Sequence, residues 1–64
     1  MTWEERLNAA GFRITAPRRA VMNVLERAEA SLSPQEILER GAELHPALGL
    51  TTVYRTVALL SDLD

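Results

Sequence analysis

Two short stretches of the chain combine the residue types that bind oxyanions with the signals that start a helix. Thr15-Ala16-Pro17-Arg18-Arg19 puts a hydroxyl, a proline suited to a first helical turn and two guanidinium groups within five residues. Thr51-Thr52-Val53-Tyr54-Arg55 repeats the pattern with two hydroxyls and one guanidinium. A helix N-terminus carries roughly half a positive charge, so its first turn favours acidic side chains and disfavours basic ones. The segments beginning Trp3-Glu4-Glu5 and Pro34-Gln35-Glu36 obey this rule, whereas the starts near Arg18, Arg19 and Arg55 invert it. An external phosphate docking on free amides, a Thr hydroxyl and a nearby Arg accounts for such an inversion. Either start alone reads more simply as a solvated face bearing an acceptable helix former. Two in one chain, each behind a Thr, favour the anion.

A second signal lies on the segment 51–63. Wound at roughly 100° per residue, it gathers Val53, Thr56, Val57, Leu60 and Leu63 on one side and Thr51, Tyr54, Arg55, Ala58 and Asp62 on the other, with Leu59 at the border. A face meant only for solvent would carry Glu and Lys rather than Tyr, Arg and Ala side by side. Arg can pair with O6 and N7 of guanine, Tyr can lie against a thymine methyl, and Ala permits close approach in a major groove. The competing reading packs Tyr54 partly on a neighbouring helix. Arg13, in the short link Phe12-Arg13-Ile14, is placed either to enter an adjacent narrow minor groove, whose negative potential attracts Arg, or as an ordinary exposed loop residue.

Other chemistry is thin. His45 is the single His, and with no Cys it lacks the convergent ligands of a metal site, so it reads as a residue at a helix end. Ser31, Ser33 and Ser61 have no catalytic His at a recognisable spacing, the three Gly form no phosphate loop, and no carboxylate pair marks a cleft. The chain is therefore not read as an enzyme. Trp3 and Phe12 are assigned to the core or to a dimer contact.

The elements that must position these residues are four helices. Thr2-Trp3-Glu4-Glu5 has the spacing of a capping box, and the first helix, with Trp3, Leu7 and Ala10 on one stripe, stops at Gly11. A second helix is capped by Thr15 and runs to about Arg27, its core stripe being Val21, Val24, Leu25 and Ala28 with Pro17 in line. Ser33-Pro34-Gln35-Glu36 starts a third, ended near Leu44 by Pro46, with Gly41 as a weak point in its interior. A link to Leu50 precedes a fourth helix, capped by Thr51 or Thr52. No strand-period alternation is present, so the fold class is all-α, four helices of which the third and fourth form a helix-turn-helix whose six-residue link, His45 to Leu50, has the length found in winged-helix variants.

At 64 residues one domain is the ceiling. The net charge of −2 gives no global reason to expect a polyanion, but residues 1–20 hold four Arg against two Glu, and the positive charge concentrates between Arg13 and Arg19. No segment has the apolar length of a signal or a membrane span, which suggests a cytoplasmic protein.

Three segments resemble the ferric uptake regulator (Fur) family of metal-dependent bacterial repressors. They are Ala9-Ala10-Gly11-Phe12-Arg13-Ile14-Thr15-Ala16-Pro17-Arg18, Leu32-Ser33-Pro34-Gln35-Glu36-Ile37-Leu38 and Gly49-Leu50-Thr51-Thr52-Val53-Tyr54-Arg55-Thr56-Val57, the last being the most specific. The resemblance implies the N-terminal DNA-binding domain of a homodimeric repressor. Tyr54 and Arg55 would lie at base edges of a palindromic AT-rich operator, Arg13 in the minor groove, and Thr15, Arg18, Thr51 and Thr52 near phosphates. It further implies that residues 1–64 are truncated before a wing and a dimerisation domain, through which the parent protein would bind iron or zinc. Many iron- and peroxide-sensing relatives carry a metal-binding His just before the third helix, where this chain reads Ala30-Ser31-Leu32. The runner-up reading is a helical protein-interaction module that uses the Tyr54 face.

Overall fold

A computed structural model describes residues 2–63, apart from the Leu63 side chain, and contains four helices and no strand among them. Helix α1, Trp3–Ala9, opens on the capping box: Thr2 Oγ1 accepts from the Glu5 N–H at 3.2 Å and Glu5 Oε1 accepts from the Thr2 N–H at 3.4 Å. It closes on Gly11, whose φ of +88° lies in the left-handed region, while Phe12 N–H donates to Leu7 O and Gly11 N–H to Asn8 O. This paired closure satisfies the last carbonyls and turns the chain into the link before α2. Ala10 is exposed rather than part of a buried stripe, and Phe12 is 42% exposed, so neither belongs to the core.

Helix α2, Ala16–Arg27, is capped by Thr15, and α3, Pro34–Leu44, by the box of Ser33 and Glu36. The Ser33 backbone N–H, followed by its hydroxyl, holds the Glu36 carboxyl below its ordinary value of 4.5. Helix α4 spans Leu50–Leu63, starting ahead of both threonines expected to cap it. A turn closed by Leu48 N–H on His45 O leads into the helix, and Val53 N–H donates to the carbonyl of Gly49 at 3.2 Å. Gly49 thus takes the cap position without a side chain to fill it. The link between α3 and α4 is five residues, one shorter than the sequence suggested.

The core has two parts. Val21, Val24, Ile37, Leu48 and Val53 are buried where α2, α3 and α4 meet, with Leu25, Leu32, Leu38 and Val57 against them. Leu7, Met22 and Leu60 form a second cluster that seats α1, flanked by Trp3, Ile14, Leu25 and Leu59. Burying such side chains is the main stabilising term in a chain of this size. Gly41 has a packing role in this arrangement. A Cβ there would lie 2.5 Å from Leu48 Cδ2, so the bare backbone of α3 is what lets Leu48 fill the core. Thr56 is buried on the inner side of α4 and its hydroxyl donates to Thr52 O at 2.7 Å, which satisfies it without a partner helix. The expected inner position of the Leu63 side chain lies outside the described residues.

Candidate nucleic-acid interface

The start of α2 is less open than its sequence indicates. The Thr15 hydroxyl accepts from Arg18 N–H at 3.3 Å, Arg19 N–H donates to Thr15 O at 2.8 Å, and Pro17 has no N–H. Ala16 is left with the one amide of that turn that has no acceptor among the described residues. The guanidinium groups are engaged as well. Arg18 Nη1 donates to the carbonyl of Arg13 at 2.6 Å, and Arg19 Nη2 pairs with Glu4 Oε1 at 2.7 Å. The sequence reading used Glu4 only to complement the α1 dipole. In the structure it also reaches across to α2, and nothing in a separation of 15 residues signals that contact. The electrostatic inversion at α2 is thus partly compensated from within.

The start of α4 is open. The N–H groups of Leu50, Thr51 and Thr52 have no acceptor among the described residues, and no side chain caps them. No acid lies in that first turn, so the helix dipole meets no compensating charge there. One turn on, Tyr54 is 56% exposed and Arg55 is exposed with no hydrogen-bond or ion-pair partner among the described residues. Thr51, Ala58 and Asp62 are exposed on the same side, Thr52 and Leu59 are half-buried, and Val53, Thr56 and Leu60 are buried on the other. The two faces separate as the winding predicts. Tyr54 belongs to neither core cluster and leaves more than half of its surface open, an exposure compatible with both readings of that face.

Two groups of residues result. Arg13, Thr15 and Arg18 are joined through the Arg13 carbonyl and the Thr15 hydroxyl, while Thr51, Thr52, Tyr54 and Arg55 share the first turns of α4. Helices α2 and α4 pack on each other, but no hydrogen bond or ion pair links the two groups among the described residues. Arg19 stands apart, tied to α1 and lining a shallow groove with Ala20, Asn23, Leu44 and His45. Among the described residues no three His, Cys, Asp or Glu side chains come together to hold a metal ion, and no helix is long and apolar enough to cross a membrane.

Residues 9–64 match the profile of the Ferric uptake regulator family. The ferric uptake regulation protein of Brucella suis biovar 1 (strain 1330) is 42% identical over 60 residues, covering 94% of this chain and 43% of its own length. Those of Bacillus subtilis (strain 168) and Rhizobium leguminosarum bv. viciae are 36% and 34% identical over 61 residues, covering 94% and 95% of this chain. The chain spans 41% and 43% of those two relatives. It belongs to the Ferric uptake regulator family.

Proposed function

We propose that residues 1–64 act as the sequence-specific DNA-binding unit of a metal-dependent transcription repressor, with α4 as the helix that enters the major groove. The observation that carries this reading is the start of α4: within six residues it has two Thr hydroxyls, an exposed Tyr54, and three amides and an Arg55 that have no partner among the described residues. In this reading the amides of Leu50, Thr51 and Thr52 hold a backbone phosphate, which sets the register, and Tyr54 and Arg55 reach base edges. Arg13 enters the neighbouring minor groove, and Thr15, Arg18 and Arg19 lie along the phosphates. Metal sensing, by iron or zinc, and homodimerisation are assigned to the part of the relatives that this chain does not span. Membership of a family whose relatives are named ferric uptake regulation proteins supports that assignment.

Titration of the chain against a palindromic AT-rich duplex and a scrambled duplex at several salt concentrations tests the reading. A DNA binder loses affinity steeply as salt rises, because each neutralised phosphate releases counterions. Arg55→Ala is expected to cost about 1 to 3 kcal/mol on the specific duplex and to flatten the preference at one base pair. Unchanged discrimination in that variant would remove α4 as the reader. Affinity indifferent to salt would instead favour a helical protein-interaction module that uses the Tyr54 face.

A further inference from the structure

We infer that Arg18 is a positioning residue for Arg13, and through it sets how strongly the chain prefers a narrow minor groove beside its site. The inference rests on the DNA-binding reading above. The link 12–14 is held on both sides of Arg13: Phe12 N–H is bonded to Leu7 O at 2.9 Å, and Ile14 packs against the second core cluster. Between these anchors the single hydrogen bond to the Arg13 backbone, among the described residues, is the one its carbonyl accepts from Arg18 Nη1 at 2.6 Å.

That bond holds the plane of the peptide between Arg13 and Ile14, and with Ile14 seated on the core it restricts the backbone torsions from which the exposed Arg13 side chain leaves. A charged donor on a carbonyl makes a short, strong bond, and the planar guanidinium defines its angle as well as its length. Arg18 is itself fixed at the root, since its backbone N–H is bonded to the Thr15 hydroxyl. The chain from Thr15 through Arg18 to the Arg13 carbonyl therefore connects the rigid start of α2 to a link that has no regular structure of its own. A minor-groove contact depends on such aim, because groove width, not a base-edge code, is what an inserted Arg reads. A residue that acts only as a phosphate contact has no such effect, since it weakens all sequences alike.

Two duplexes with the same core site, one flanked by A-tracts and one by mixed sequence, separate these roles. The ratio of the two affinities is measured for the native chain, Arg13→Ala, Arg18→Ala, the double variant and Arg18→Lys, with circular dichroism to show that each is folded. The expected result is that Arg18→Ala loses the A-tract preference as fully as Arg13→Ala does. The double variant should lose no more than either, and Arg18→Lys, which keeps a donor for the carbonyl, should regain part of the ratio. Because charge alone moves both affinities together, the ratio is insensitive to a phosphate role. If Arg18→Ala lowers both affinities by one factor and keeps the ratio, the inference is wrong while the DNA-binding reading stands. If the native chain binds neither duplex, both fall together.

Discussion

Glu4 decides how much positive charge the start of α2 can offer to a ligand. Its ion pair with Arg19 joins two side chains that are 45% and 56% exposed, so it contributes at most about 1 kcal/mol to stability. In the DNA-binding reading its larger effect is on affinity, since a guanidinium already facing a carboxylate would neutralise a phosphate incompletely. Glu4→Gln is expected to steepen the dependence of log affinity on log salt, by up to about 0.9 if one further phosphate becomes neutralised. Glu5→Gln removes the same formal charge from the same turn and keeps the capping-box chemistry, so it serves as the comparison. A slope that changes equally in both variants would mean that only the net charge of α1 matters and that the contact with Arg19 does not.

At the level of the helices, the features carried by local spacing were legible and those made by distant residues were not. Both capping boxes, the Gly11 stop and the two faces of α4 each depend on residues within a few positions of one another, and each is found where the pattern puts it. The start of α4 was misplaced because Thr51 and Thr52 have cap chemistry whereas Gly49, which holds the cap position, has no side chain to signal it. Gly41 shows the same limit more sharply. From propensity alone, Gly41→Ala inside α3 should stabilise by about 1 kcal/mol. The structure reverses the sign, because the new Cβ would meet Leu48 Cδ2 at 2.5 Å and Leu48 is buried among Val21, Val24, Ile37 and Val53. Overpacking of this kind costs about 1 to 3 kcal/mol, so a net loss of about 1 kcal/mol is expected, read as a lower urea midpoint. A raised midpoint would show that Leu48 can turn aside freely and that Gly41 is not what shapes the α3–α4 corner.

Across the whole molecule, charge and size together govern how the chain can use an operator. With a net charge of −2 and an isoelectric point near 5.3, the chain gains no attraction to DNA from its overall field, so the proposed binding rests on the local arrangement on α4 and the link before α2. Its longest dimension is 29 Å, whereas equivalent positions of two half-sites one helical turn apart are about 34 Å from each other. In the DNA-binding reading, one copy then covers one half-site, and a palindrome calls for two. Free copies would bind the halves with no mutual gain, so weak binding is expected of the untethered chain. Joining two copies by a flexible linker long enough to reach both halves turns the second encounter into an intramolecular one, and apparent affinity for the palindrome should rise by about 10² to 10⁴. The gain should vanish on a duplex carrying one half-site. It should also fall when about five base pairs are inserted between the halves, since that turns them to opposite faces of the duplex and puts the second site out of a short linker's reach. Enhancement that survives the insertion would mean that the tethered copies act through contact with each other and not through two helices set in successive grooves.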